Sequence, residues 1–202
     1  MLSELYMNGF FFFNGIKYSK EVMCFLSDIN NFGPAKDDYS LSGHPMINCK
    51  EIQRLPENIA KSIYTSLPIN IINSLSIPPI YWNSRNLGKG FYLWPHCDYV
   101  IQDYSTENSR IDIGPLLICL WITPDVYIGR EFIYGKIIDD KLLRSTTPMP
   151  FGHPGLEVLG AIKPKTGMGV LIDRTNPIWW HGVTELISDD RIVTIGGFID
   201  AG

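Results

Sequence analysis

His96 and Asp98 stand two positions apart in the stretch Tyr92-Leu93-Trp94-Pro95-His96-Cys97-Asp98, and a further donor, His181, follows far downstream after the pair Trp179-Trp180. In an extended chain successive side chains alternate faces, so an imidazole and a carboxylate two apart point the same way. In a rolled sheet, a strand from a distant part of the chain can bring the second imidazole to them. Two imidazoles and one carboxylate on one face of an octahedron suit non-heme Fe(II) and leave three positions open for a co-substrate and oxygen. Arg191 then heads the apolar run Ile192-Val193-Thr194-Ile195. A guanidinium stays charged and forks onto a carboxylate, so a buried arginine there calls for an acidic partner. A histidine two residues from an aspartate is common by chance. The ordered set of H-x-D, distant His and Arg is far more specific.

In that order the pieces resemble the Fe(II)/2-oxoglutarate-dependent dioxygenase superfamily. The resemblance covers roughly residues 77–199. It runs through Pro95-His96-Cys97-Asp98 and Gly129-Arg130-Glu131-Phe132, where relatives carry a G-G-E-like strand start. It continues through Pro164-Lys165-Thr166-Gly167, like the P-K-x-G stretch leading to the distal histidine, then His181-Gly182-Val183 and Arg191. The resemblance implies a double-stranded β-helix in which His96, Asp98 and His181 hold iron and Arg191 pairs with the distal carboxylate of 2-oxoglutarate, O2 taking a remaining iron position. Tyrosines near this motif donate to 2-oxoglutarate in relatives, which makes Tyr92 a cofactor-binding candidate. Many relatives carry Ser or Thr two residues after the arginine. Here that position is Val193 and the hydroxyl comes one later, at Thr194, a cofactor-binding candidate, and the departure leaves the second hydrogen bond unassigned. Related halogenases carry Ala or Gly where this chain has Asp98, which argues against halogenation; hydroxylation is the default outcome the resemblance implies, with desaturation and ring formation left open by the ligands.

Regular alternation puts Tyr92, Trp94 and His96 on one face of their strand, and Tyr81, Asn83 and Arg85 on one face of the strand before it. These residues, with Trp179 on the face of His181, are the candidates for substrate contact. The plainer readings are core aromatics for Tyr92, Trp94 and Trp179, a solvent-facing row for Tyr81, Asn83 and Arg85, and a surface ion pair of Arg191 with Asp189 or Asp190. Cys97 points away from its neighbours and reads as a small buried thiol. His44 and His153 fall in loops rich in Gly and Pro.

The elements that must position these residues change in texture along the chain. Ser19 can cap a helix through residue 30, with Val22, Phe25, Leu26 and Ile29 on one stripe. A strand at 10–13 precedes it and ends at Asn14-Gly15, a hairpin-type turn signal. Residues 56–67 and 69–75 read as further helix. The stretch 32–50, broken by Gly and Pro yet carrying Phe32, Tyr39 and Leu41, is expected to cover the substrate. From residue 77 onward, short β-branched and aromatic runs alternate with turn residues, at 80–85, 90–96, 116–123, 130–137, 156–162, 168–172, 179–183 and 191–199. Such a series is the pattern of a jelly roll. The fold class is therefore mainly β with N-terminal helices: one domain over 1–202, with 1–76 a helical support region and 77–202 the double-stranded β-helix core.

The 202-residue length suffices for a core without staples. A net charge of −4 with no long basic run speaks against nucleic acid. No apolar run reaches membrane-span length, and Cys24, Cys49, Cys97 and Cys119 form no C-x-x-C pair, which fits a reduced, cytoplasmic setting. The expected function is an oxygenase using Fe(II), 2-oxoglutarate and O2 to hydroxylate a small molecule, an amino acid or a natural-product intermediate. Two rivals stand beside it: a cupin-like metal-dependent isomerase or lyase, in which Arg191 is incidental, and a non-catalytic binding protein on the same roll. Bound iron with succinate release separates the first reading from both. The pattern says nothing of oligomeric state.

Overall fold

Helix α1 (Leu2–Asn8) breaks at Gly9, whose φ of +72° favours glycine, and strand β1 (Phe10–Asn14) follows at once. The computed structural model describes residues 2–35, 48–75, 78–79, 81–97, 116–143 and 148–199. Ser19 caps helix α2 (Lys20–Ser27) as its sequence predicts: Oγ accepts from the Val22 N–H at 3.2 Å, and the helix buries Val22 and Leu26. Asp28 caps a short 3₁₀ turn, Ile29–Asn31, in the same way. Helix α3 (Glu57–Thr65) starts directly after Pro56, and α4 (Ile69–Ile72) is a single turn.

Two expectations for this half change. β1 makes no hairpin at Asn14-Gly15; it pairs with a distant strand instead, because the segment after it is committed to a capped helix. The stretch expected to be loop holds two short paired strands, β2 (Gly33–Pro34) and β3 (Cys49–Ile52). Residues 36–47, with His44, Tyr39 and most of the expected cover, lie outside the described residues.

The strands read from the second half of the sequence all form, with edges shifted by a few residues. They are β4 (Tyr81–Leu87), β5 (Leu93–His96), β6 (Leu116–Ile122), β7 (Phe132–Ile137), β8 (Leu156–Ile162), β9 (Met168–Asp173), β10 (Trp179–Val183) and β11 (Ile192–Ile199). Among the described residues they make a seven-stranded sheet, β1-β9-β6-β11-β4-β3-β2, and a four-stranded sheet, β5-β10-β7-β8. Neighbours pair antiparallel throughout. Mostly β, with few helices, the architecture is a jelly roll.

Alternation gives the large sheet two apolar faces. One face, with Trp82, Ile118, Leu120, Leu171, Val193 and Ile195, packs against Leu5, Val22, Leu26, Ile59, Ile63 and Ile71 of the helices. The opposite face, with Phe10, Trp121, Val170 and Ile172, meets Phe132 and Val183 of the small sheet. The helices thus close one side, and the site must lie in the space between the sheets. Among the described residues no helix is long and apolar enough to cross a membrane.

Ile118 is fully buried between sheet and helices, whereas Val126 is 80% exposed. Ile118→Ala should cost about 2–5 kcal/mol in urea unfolding, since it removes buried methylenes and leaves a cavity. Val126→Ala should stay within about 0.5 kcal/mol of the parent.

Candidate metal centre

Strand β10 runs between β5 and β7, and its register decides what meets. On one side His181 stands opposite His96; on the other it stands opposite Tyr134. The two imidazole rings lie 4.4 Å apart between centroids at 58°. His96 Nδ1 is 2.8 Å from the Trp94 carbonyl oxygen. A carbonyl only accepts, so Nδ1 is the donor in this contact, which leaves Nε2 as the ring nitrogen placed to coordinate a metal. His181, 7% exposed, stacks on Phe132 at 5.3 Å and 18° and takes the edge of Phe10 at 6.4 Å. The aromatic wall holds that ring in one orientation and keeps water from it. Among the described residues no third His, Cys, Asp or Glu joins the pair. Asp98, the third donor expected from sequence, lies outside them.

Trp179 alternates with His181 and packs on Phe10 at 6.3 Å, on the inner side. Tyr92 and Trp94 do not share the face of His96. The β5–β10 register breaks between its two pairs, Leu93 with Val183 and His96 with His181. That irregularity inserts one residue and resets the alternation. Leu93 and His96 face inward, while Tyr92 and Trp94 line a shallow outer pocket of about 260 Å³ with Phe151, Thr184 and Glu185.

The row Tyr81, Asn83 and Arg85 does turn inward. Tyr81 stacks on Phe198 at 4.8 Å, and Asn83 Oδ1 lies over Gly196, 2.6 Å from where a Cβ would sit. Arg85 stands opposite Thr194 on one side and Glu51 on the other. The inner face of the large sheet therefore carries hydrogen-bonding groups from β3, β4 and β11.

Arg191 goes elsewhere. It lies three residues before the inward-facing Thr194 and so falls on the other face of the strand. Its side chain is exposed, and Nη1 donates to Asn86 Oδ1 at 2.8 Å. Asn86 shares the alternation of Trp82 and Ser84, the helix side. Asp189 pairs with Lys89 at 3.0 Å rather than with Arg191.

The cation that does enter is Arg130, 3% exposed. It lies just before β7 with φ +59°, directly after Gly129 at φ +83°. Two consecutive left-handed residues turn the chain, and backbone bonds lock it: Arg130 N–H to the Glu185 carbonyl at 3.0 Å and Thr184 N–H to the Glu131 carbonyl at 3.0 Å. Arg130 Nη2 donates to Thr194 Oγ1 at 3.3 Å, and the guanidinium carbon lies 5.2 Å from the Phe91 ring centre. Burial pushes its pKa down to about 10, which leaves it cationic at neutral pH. A sequence signal for it existed: an arginine standing where relatives carry the second glycine of a strand start.

No protein-family model and no curated protein matches the sequence. Solved structures do. A prolyl hydroxylase from Trichoplax adhaerens, in complex with a hypoxia inducible factor oxygen degradation domain peptide fragment, is 14% identical, with 98% of this chain and 87% of that one covered and a TM-score of 0.62. HygX from Streptomyces hygroscopicus, with nickel, 2-oxoglutarate and hygromycin B bound, is 14% identical over 98% and 86%, TM-score 0.58. A Pseudomonas putida prolyl-4-hydroxylase is 14% identical over 100% and 97%, TM-score 0.58. The chain shares the fold of these two prolyl hydroxylases and of HygX. Within that fold the Gly129 turn is tight: a Cβ there would lie 2.0 Å from the Glu185 carbonyl oxygen, while one at Gly90, of similar φ, would meet nothing within 4 Å.

Gly129→Ala should therefore destabilise the protein by roughly 1–3 kcal/mol beyond Gly90→Ala, which bears the left-handed strain alone, with thermal unfolding of both variants as the measurement.

Proposed function

We propose that the chain is an Fe(II)- and 2-oxoglutarate-dependent oxygenase that hydroxylates an unactivated C–H of a small molecule, with iron held by His96, Asp98 and His181. The observation that carries this reading is the His96–His181 pair, 4.4 Å between rings, with the His96 tautomer set by the Trp94 carbonyl. Two borderline nitrogen donors from neighbouring strands, with a carboxylate two residues from one of them, fit a divalent iron. Solved structures of this fold support the reading, HygX having been observed with iron and with nickel and 2-oxoglutarate.

When bound, iron with 2-oxoglutarate and O2 supplies the conversion of R–H to R–OH, with succinate and CO2 released. The chain's own residues do the rest. Trp94 O fixes the His96 proton on Nδ1, so the ring offers its other nitrogen without competition from a tautomer. Phe132, Phe10 and Trp179 exclude water around His181, which protects a reactive intermediate from side reactions. Asn83 and Tyr81, on the inner face of β4, offer an amide and a hydroxyl toward a ligand held between the sheets. A small organic substrate suits this reading, and HygX was observed with hygromycin B.

His96→Ala and His181→Ala should each lower Fe(II) affinity by more than about 100-fold, the upper end of what outer-shell partners of metal ligands cost, and abolish succinate release from 2-oxoglutarate. Circular dichroism should be unchanged, since the apolar clusters stay intact. Full iron content and turnover in His181→Ala would overturn the ligand assignment.

A further inference from the structure

Arg130 has no use in the reading above, yet its placement is built. Its backbone sits in a left-handed conformation that non-glycine residues adopt at a cost, and that cost is sustained by the locked turn at Gly129. Only Nη2 of its guanidinium has a partner: Nε and Nη1 are buried with none among the described residues. Among the described residues the groups that bear on its charge are Cys119, Tyr127, Cys49 and Arg85, and none of these is a carboxylate. Burial and neighbouring cationic Arg85 both act against its charge. By contrast Arg85 stands opposite Glu51 in the β3–β4 register. An arginine that leaves two buried N–H groups of its guanidinium without a partner among the described residues, two positions before the Phe132 whose ring stacks on His181, is suited to a planar anion.

We infer that Arg130, together with the Thr194 hydroxyl, is the carboxylate anchor of the site and takes the distal carboxylate of a 2-oxo diacid lying between the sheets. This deepens the oxygenase reading and rests on it. It moves the anchoring role from Arg191, at the strand edge, to a residue at a position where the family pattern has glycine. The second carboxyl group and its neighbouring keto oxygen are then left to face the histidines. Arg191 contributes nothing to diacid binding.

The test uses the full chain loaded with Ni(II), which holds the ligands without turnover. Calorimetric titration compares 2-oxoglutarate with 2-oxopentanoate, the same carbon chain lacking the second carboxyl group. The wild-type protein should prefer 2-oxoglutarate. Arg130→Met should weaken 2-oxoglutarate binding roughly 10- to 100-fold, the scale of a charge-assisted hydrogen bond, and erase the preference over 2-oxopentanoate. Its Ni(II) affinity should not change. Its melting temperature without ligand should equal or exceed that of the wild type, because an unpaired buried charge is removed. Arg130→Gly, which also relieves the left-handed backbone, should give the same ligand result and serves if the methionine variant folds poorly. Arg191→Met should bind both acids as the wild type does.

If Arg130→Gly or Arg130→Met keeps the diacid preference, or if Arg191→Met loses it, the assignment is overturned. A clear fall in the melting temperature of both Arg130 variants without ligand would also overturn it, by showing that the guanidinium already holds an internal acid. A wild-type protein that binds Ni(II) but shows no response to 2-oxoglutarate sinks the oxygenase reading itself, an outcome distinct from a preference that survives at Arg130.

Discussion

The double pairing of strand β10 is the constraint on which the rest of the site depends, because a strand hydrogen-bonded on both sides cannot slip without breaking two ladders at once. A shift by one residue would send Trp179, His181 and Val183 to the outer face and bring Trp180 and Gly182 in. Val183 is buried against Phe132 and Phe10, and Trp180 lies on the outer face over Gly135, where a Cβ would come within 2.7 Å of the indole. The wrong register would therefore expose a packed valine and drive an indole into a crowded core. Hydrophobic packing and the two ladders thus set the position of His181.

The same packing explains why a cation is tolerated inside. Removing a charge from water costs several kcal/mol unless partners repay it. Around Arg130 the repayment within the described residues is partial: one hydroxyl at 3.3 Å and the face of Phe91. The enclosing structure, not the arginine, carries that deficit, through the clusters on both faces of the large sheet. Strain and burial at one residue, sustained by a rigid frame, are the usual mark of a place kept for a ligand.

Much of this was legible in the sequence, and the exceptions have local causes. The strand series was readable because β-branched and aromatic runs alternate with turn residues, and the Ser19 cap because its hydroxyl precedes an apolar stripe. His96 and His181 could be singled out by residue type and order. Tyr92 and Trp94 were placed on the wrong face because parity counting assumes an unbroken ladder, and the break between the Leu93–Val183 and His96–His181 pairs is set by a strand far away in sequence. Arg191 lies on the other face for a simpler reason: the inward positions of β11 are fixed by pairing with β4 and β6, and Thr194 holds one of them. An arginine three residues away then has to face outward. Arg130 was hidden because its direction comes from a left-handed turn, which strand periodicity does not describe.

The links between Arg130 and the two histidines are short, each made of a few residues of chain and one ring contact. Arg130 lies two residues before Phe132, whose ring stacks on His181, and its guanidinium sits over Phe91, five residues before His96 on the other flank of β10. Each histidine is thus tied to the guanidinium through one aromatic residue. Two residues of extended chain span only about 6.5–7 Å, and rings packed at native density leave little slack. A ligand with an anionic group at each end would be held by a spacing that side-chain motion barely alters, whereas a monoacid could satisfy only one end. With Arg130 as the proposed anchor, a preference for chain length and for a second charge would rest on the rigidity of β7 and β5 as much as on the arginine.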